Sequence, residues 1–213
     1  MFKNLMVKDF VSELASNSPA PGGGSTAALA ASLGSALSSM VFNLTIGKKT
    51  FNELNDEIKQ LIFTQLKESA QSKEDFLSLI DKDTEAFMIL MASFKLPKDT
   101  KDEIAVRSAK IQEGYKGATE VPLEMADKAY KAYDYIMTAC TYGNKNAISD
   151  AGVAALMTQS AIEAAVLNVR INLSSIKDED YKQRVKKQYE ELVANGVKRK
   201  EKILSIVNIE IGC

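Results

Sequence analysis

The chain has 213 residues, of which 46% are hydrophobic and 26% are charged, and its formal net charge at neutral pH is −1. This length can bury a sizeable core, and the balanced charge gives no electrostatic case for nucleic-acid binding, which needs a clustered basic face. The chain contains no histidine, so Ser-His-Asp triads, Cys-His dyads, HExxH zinc sites and any acid–base step on histidine are excluded.

Cysteine usage and the N-terminus bear on the cellular compartment. The two cysteines, Cys140 and Cys213, are far apart and form neither a CxxC motif nor a disulfide framework. Residues 1–10, MFKNLMVKDF, lack the apolar segment of a signal peptide. We therefore expect a cytoplasmic protein with no metal site and with neither a nucleic acid nor a membrane as partner.

Helical periodicity dominates the chain. Apolar residues recur at helical spacing in six segments bounded by glycine, proline or polar residues: 5–15, 26–47, 52–94, 99–142, 149–172 and 178–207. We expect a bend at Pro122, because proline removes a backbone donor and crowds the preceding turn. No alternating strand pattern and no linker are visible. The pattern predicts a single all-α domain over residues 1–213, a bundle of five to seven helices, some of them long.

The first long helix is the most unusual segment. Residues 26–46 carry no charge and are long enough to span a bilayer. Six polar residues within it argue against a lone lipid-facing helix: Ser32, Ser35, Ser38, Ser39, Asn43 and Thr45. The large residues form one stripe, and small residues, which let neighbouring backbones approach, occupy the other faces: Leu29, Leu33, Leu37, Met40 and Leu44. This gradation is typical of a helix at the centre of a soluble bundle, with a membrane span as the alternative.

A glycine-rich segment leads into this helix. Pro21 is followed by Gly22, Gly23 and Gly24, and Ser25 is the predicted N-cap. The segment does not fit the GxxxxGK[ST] frame of a nucleotide-binding loop, and no strand precedes it as in a dinucleotide-binding fold. Free N–H groups at a helix start bind anions, and glycines let a ligand touch the backbone. A ligand site and a tight turn with close helix packing are the two interpretations.

One carboxylate lies on the packing side of the second long helix. On a helical wheel Asp83 falls inside the apolar stripe, whereas Asp81, Lys82 and Glu85 fall on the opposite side, as expected of a solvated face. A carboxylate in a packed position needs partners or has a raised pKa, and either property suits acid–base chemistry. The alternative is an aspartate that caps or bridges another helix.

Four more polar residues are candidates. Asp150 and Asn168 share one face of the predicted helix 149–172 but lie roughly 27 Å apart along it, so they cannot bind one small group unless another helix or subunit intervenes. First-turn capping is the alternative for Asp150. Arg170 could bind a ligand carboxylate with its planar fork, although Glu163 is the expected partner. Lys48 is either an anion contact or a complement to the helix dipole.

Several segments, in this order along the chain, resemble the cyclodeaminase/cyclohydrolase family. They are Pro21–Ser25 (PGGGS), 44–48 (LTIGK), Asp81–Phe87 (DKDTEAF), Gly143–Asn144 with Ser149–Asp150, and Leu167–Leu173 (LNVRINL). The family comprises the cyclodeaminase domain of formiminotransferase-cyclodeaminase and the stand-alone methenyltetrahydrofolate cyclohydrolases. The resemblance covers residues 5 to 208. Its departures are small: a Lys-Lys pair stands at 48–49, where arginines also occur.

The resemblance implies an all-α homodimer that acts on a tetrahydrofolate derivative and uses no further cofactor. Because these 213 residues show no formiminotransferase domain, we favour hydrolysis of 5,10-methenyltetrahydrofolate to 10-formyltetrahydrofolate. Release of ammonia from formiminotetrahydrofolate is the first alternative, and a non-catalytic folate-binding helical protein is an alternative of another class.

The resemblance also implies roles for individual residues. Asp83 corresponds to the catalytic aspartate. Asn144, Asp150 and Asn168 are expected to bind the pterin or to order the site. Apart from the resemblance, we expect the glycine-rich helix start and Lys48 to hold the anionic glutamate end of the substrate, because a helix start and a lysine both bind anions. The expected substrate-binding residues are Gly22, Gly23, Gly24, Ser25, Lys48, Asn144, Asp150, Asn168 and Arg170.

Overall fold

The computed structural model describes residues 1–212, which form helices and no strand. The α-helices are α1 (Val7–Leu14), α2 (Gly23–Thr45), α3 (Lys49–Asn52), α4 (Asp56–Ser93), α5 (Lys101–Tyr142), α6 (Ile148–Leu173) and α7 (Glu179–Ile211). Two short 3-10 helices are Phe2–Asn4 and Lys145–Ala147. The predicted all-α bundle of five to seven helices is confirmed; the predicted segment 52–94 contains a break between α3 and α4. Cys213 lies outside the described residues.

Four long helices form the body of the bundle. α2 packs against α4 and α6, α5 packs against α4 and α6 as well, and α7 lies against α6 and α5. α2 and α6 run antiparallel, since Gly23 lies beside Asn168 while Gly34 lies beside Thr158. The glycine-rich start of α2 and the C-terminal part of α6 therefore share one end of the bundle.

α2 is buried through its small residues. Ala27, Ala28, Ala31 and Ser35 are at most 1% exposed. A Cβ on Gly34 would lie 2.9 Å from Thr158 Oγ1, so the α2–α6 contact depends on small side chains, as expected. The helix is not enclosed on all sides, however. The large residues of the predicted stripe remain partly exposed, including Leu33 (48%), Met40 (38%) and Leu44 (43%).

α5 continues through Pro122 as one helix of 42 residues. A capping box between Thr100 and Glu103 starts it. Because Pro122 has no N–H, the carbonyl of Ala118 lacks its usual helical donor four residues later. Asn172 of α6 replaces that donor, with its Nδ2 2.8 Å from Ala118 O. The proline thus creates the need for a hydrogen bond that links α6 to α5.

One prediction about α4 is wrong. Asp81 does not lie on a solvated face: it is 7% exposed, and neither of its carboxylate oxygens has a hydrogen-bond partner within residues 1–212. A helical wheel shows which side chains share a face of one helix, but it cannot show which other segments pack against that face. Burial on this side of α4 was therefore invisible in the sequence pattern.

Two helical stretches have the length and apolar composition of a membrane span, Gly23–Thr45 and Lys145–Leu173. In the folded chain, 50% and 56% of their most apolar windows are buried against other helices. Core helices of soluble bundles have the same length and composition. These two properties therefore do not distinguish a core helix from a membrane span.

Candidate active site

The glycine-rich start of α2 opens on a cleft of about 320 Å³ at one end of the bundle. Part of its wall comes from the segment that joins α1 to α2, and the rest from α2, α4, α5 and α6. The lining residues are Pro19, Ala20, Gly22, Gly23, Gly24, Asp83, Thr84, Phe87, Ala118, Asn168, Ile171 and Asn172.

Asp83 sits over the first turn of α2. The N-cap of this helix is Gly22, which corrects the prediction of Ser25, and no side chain of the helix caps it. Ser25 is instead buried inside the first turn, where its Oγ lies 3.3 Å from Asp83 Oδ2 and its backbone N–H also donates to the Asp83 carboxylate. A carboxylate from α4 therefore takes the place of the missing cap. The helix-capping alternative considered for Asp83 describes a real contact, but the same side chain also lines the cleft.

Gly24 makes this approach sterically feasible. A Cβ at position 24 would lie 2.5 Å from Asp83 Cγ, far inside van der Waals contact. The neighbouring glycine has a similar function, because a Cβ on Gly23 would lie 3.2 Å from Asn168 Nδ2. The close approach of Asp83 therefore depends on the absence of a side chain at Gly24, whereas a side chain at position 23 would require Asn168 to shift by a few tenths of an ångström. A Cβ on Gly22 would have nothing within 4 Å.

The carboxyl group of Asp83 holds its proton more tightly in the folded chain than it would in water. The side chain is half-buried, and burial raises the pKa of the Asp83 carboxyl above its ordinary value, while the hydrogen bonds from Ser25 oppose the shift only in part. No charged side chain in the described part of the chain contributes to this shift. Asp83 is therefore a hydrogen-bonded carboxylate without a counter-ion, suited to accept a proton or to face a cationic ligand.

The structure brings together part of the predicted set. The three glycines, Asp83 and Asn168 line one cleft, and Ser25 contacts it through Asp83. Arg170 is exposed and lies outside the cleft lining. Its expected partner, Glu163, instead accepts a hydrogen bond from Gln159 Nε2 at 2.8 Å. The predicted ion pair between Arg170 and Glu163 is therefore wrong for residues 1–212.

Three predicted residues lie at the other end of α2. Lys48 is exposed at the start of α3, roughly 35 Å from Gly24 along the helix axis. Asn144 links α5 to α2, because its Nδ2 donates to Leu44 O at 3.1 Å. Asp150 lies in the first turn of α6, at the same end. Contrary to prediction, a single chain does not bring Lys48 to the glycine-rich helix start.

Seven lining residues were not among the predicted site residues: Pro19, Ala20, Thr84, Phe87, Ala118, Ile171 and Asn172. Phe87 and Asn172 each lie one helical turn beyond a predicted residue, so a search at i+4 from Asp83 and Asn168 would have found them. Among residues 1–212, no three Asp, Glu or Cys side chains are grouped as a metal site would require.

The chain matches the family model described as Formiminotransferase-cyclodeaminase over residues 6–191. It belongs to the formiminotransferase-cyclodeaminase family. A relative from Methylorubrum extorquens, methenyltetrahydrofolate cyclohydrolase, is 38% identical over 211 residues, covering 99% of this chain and 100% of that protein. Formimidoyltransferase-cyclodeaminase from Rattus norvegicus is 35% identical over 187 residues, covering 88% of this chain and 34% of that protein. The family resemblance found in the sequence is confirmed.

Relatives of two lengths therefore share this family's helical domain. The chain spans the whole length of the cyclohydrolase relative and about a third of the formimidoyltransferase-cyclodeaminases; for that of Gallus gallus the identity is 39% and the share of that protein is 31%. The crystal structure of formiminotetrahydrofolate cyclodeaminase from Thermotoga maritima superposes with a TM-score of 0.78, covering 99% of this chain and 97% of that chain at 24% identity. This likeness shows that the fold is shared.

Proposed function

We propose that this chain is a tetrahydrofolate one-carbon enzyme that hydrolyses 5,10-methenyltetrahydrofolate to 10-formyltetrahydrofolate. The observation that carries the proposal is the position of Asp83, a carboxylate without a counter-ion that lines a cleft beside free backbone N–H groups. The match over the full length of a relative named methenyltetrahydrofolate cyclohydrolase supports hydrolysis as the reaction.

The proposed chemistry uses one carboxylate in two ways. The substrate carries a positive charge on the carbon bridge between N5 and N10, and the Asp83 carboxylate stabilises that cation. Water attacks the bridging carbon while Asp83 accepts a proton from it. The bond from this carbon to N5 then breaks, N5 receives a proton, and the carbon remains on N10 as a formyl group. No histidine is available for these proton transfers.

A second reaction, cyclodeamination of formiminotetrahydrofolate, is favoured by the relatives that bear that name. In it N10 attacks the formimino carbon, and ammonia leaves after receiving a proton. The same carboxylate would serve, because both reactions move protons beside a cationic one-carbon bridge. The difference between them lies in the leaving group, so the two substrates must be tested separately.

The deciding experiment supplies the purified chain with methenyl- and with formiminotetrahydrofolate in separate assays and follows absorbance and ammonia. We expect accelerated loss of the methenyl absorbance without ammonia release. Ammonia release from the formimino substrate would instead support the cyclodeaminase. Tetrahydrofolate binding without turnover of either substrate would support the non-catalytic folate-binding protein and overturn both enzymatic proposals.

The chain is further proposed to act in the cytoplasm as a homodimer, with neither nucleic acid nor membrane as a partner. Support for the dimer comes from apolar residues that stay exposed along two adjacent, antiparallel helices. These residues, called here the α2–α6 stripe, are Leu33, Met40, Leu44, Val153, Leu156 and Leu167, each 38% to 63% exposed. Exposed apolar residues grouped on neighbouring helices mark an interaction site, and self-association through one shared patch is the commonest form.

A dimer of this kind would complete the predicted site. A two-fold axis at right angles to α2 makes the partner's α2 run in the opposite direction. The end that carries Lys48, Asn144 and Asp150 then lies beside the glycine-rich end of the partner. This arrangement would bring the separated groups of predicted residues together, each cleft combining Asp83 of one copy with Lys48 of the other.

The predicted dimer is tested at the middle of the stripe. We expect Leu33→Lys to convert a particle of twice 23.3 kDa into a monomer, because a lysine there places a charge in an apolar contact. Light scattering after gel filtration measures the mass, and the same fractions are assayed for turnover, which should fall with dissociation. Val106→Lys, at a 58% exposed site on α5, is the matched control and should change neither. A wild-type monomer with full activity would contradict the proposal.

A further inference from the structure

Two asparagines one turn apart on α6 line the cleft. Asn168 Nδ2 lies 2.8 Å from Ala164 O, and Asn172 Nδ2 lies 2.8 Å from Ala118 O. Because a backbone carbonyl only accepts hydrogen bonds, these contacts require the NH₂ group of each amide and fix which way the amide faces. Within residues 1–212 neither Oδ1 accepts a hydrogen bond, and neither is an enclosed unpaired atom. Both amide oxygens are therefore open to a ligand.

The orientation of Asn172 follows from the proline in α5. Pro122 cannot donate to Ala118 O, and Ala118 is only 7% exposed. If the Asn172 amide rotated, this carbonyl would lose its donor in a place that water reaches poorly. Pro122 therefore holds the Oδ1 of Asn172 in place without touching the ligand.

The hydroxyl of Thr84, which also lines the cleft, is an acceptor like the two amide oxygens. Thr84 Oγ1 uses its hydrogen on Ile80 O at 3.2 Å, which leaves only its lone pairs for a ligand. Asp83, when ionised, also accepts only. Backbone N–H groups at the start of α2 are thus the donors of this cleft, and its side chains are acceptors. Phe87 and Ile171 supply apolar surface between these polar groups.

We propose that Asn172, together with Asn168, recognises an edge of the substrate that carries adjacent N–H donors. Both amide oxygens can accept from such donors, and neither can donate to an edge made of carbonyls. In a tetrahydrofolate, which the proposed function supplies as substrate, this edge is the 2-amino group with the neighbouring ring N–H. Asn172 is thereby a specificity-determining residue, and Pro122 is a positioning residue that acts through it.

The experiment compares two ligands and three chains. The ligands are tetrahydrofolate and its analogue in which a methyl group replaces the 2-amino group, and equilibrium binding of each is measured by calorimetry. We expect the wild-type chain to prefer the amino ligand by about tenfold or more. In Asn172→Leu this preference should fall to about threefold or less, because the acceptor that reads the amino group is gone. Asn195→Leu, at an exposed position on α7, should keep the wild-type preference.

Asn168→Leu keeps the test decisive if Asn172→Leu does not fold. Its backbone partner Ala164 O retains the ordinary helical bond from the N–H of residue 168, so no carbonyl is left unpaired. The same loss of preference is expected. A folded variant that discriminates the two ligands as the wild type does would overturn this inference while leaving the proposed reaction standing. Failure of the wild-type chain to bind tetrahydrofolate would overturn both.

Discussion

Asp83→Asn is expected to lower kcat for the folate substrate by about 10²- to 10⁴-fold, the usual contribution of a positioned acid–base group. The amide keeps an oxygen that can accept the hydrogen bonds from Ser25, so the start of α2 remains capped. It cannot accept a proton, and it cannot stabilise a cation by charge. The loss should therefore fall mainly on kcat, with a smaller change in the affinity for tetrahydrofolate.

The same substitution should not lower stability at neutral pH. Burial raises the pKa of Asp83, so the folded chain binds this proton more tightly than the unfolded chain does. The ionised carboxylate therefore costs stability at any pH above the raised pKa, and that cost shrinks as the pH falls from the raised pKa to the ordinary pKa of the unfolded chain, below which it is absent. We expect the melting temperature of Asp83→Asn to equal or exceed that of the wild type at neutral pH, with the difference shrinking on acidification.

Thermal unfolding followed by circular dichroism at several pH values measures this stability difference, and steady-state assays measure the rate. Asp75→Asn makes the same chemical change on α4, at a carboxylate 3.7 Å from Lys128 and outside the cleft. This control should keep full activity. Undiminished turnover by Asp83→Asn would remove Asp83 from the mechanism, and a strong loss of stability would mean that its charge is needed for folding.

Much of the fold was predictable because periodic apolar residues and glycine or proline breaks act locally. The five long helices were located to within a few residues, apart from the early break between α3 and α4. Asp83 could also be singled out, since a charge inside an apolar stripe violates the pattern of its own helix. The predictions that were wrong concern contacts between segments that are distant in the sequence. Neither the burial of Asp81 nor the replacement of Ser25 by Asp83 as the capping group has a signature within one helix.

The cleft was predictable only in part for the same reason. Asn172 resembles any polar residue near a helix end until Ala118 O, freed by Pro122, is seen to lie beside it. The proline was expected to bend α5, whereas its larger consequence is the unpaired carbonyl that it leaves to α6. Similarly, Lys48 was grouped with Gly24 because both suit an anion, but a helix of 23 residues separates them. Distance along a rigid helix was decisive here, and a shared affinity for anions does not measure it.

Gly24→Ala is expected to destabilise the fold by about 1–3 kcal/mol, the usual cost of overpacking, and to reduce turnover at least tenfold. The reason is steric. The added methyl would lie 2.5 Å from Asp83 Cγ, so either the carboxylate leaves its place over the first turn of α2 or α4 moves away. Both responses displace the proposed catalytic group. Chemical denaturation gives the free energy of unfolding, and the substrate assay gives the rate.

A matched glycine and a double mutant separate this clash from a general effect of alanine. Gly117 lies within α5 with no atom within 4 Å of its added Cβ, so Gly117→Ala should stabilise the chain by about 0.5–1 kcal/mol through helix propensity. In an Asp83→Ala background the obstructing carboxylate is absent, and Gly24→Ala should then lower the free energy of unfolding only slightly. The resulting interaction energy measures how closely the two residues are coupled. An equal cost in both backgrounds would show that residue 24 meets some other obstacle, and that the glycine does not serve the approach of Asp83.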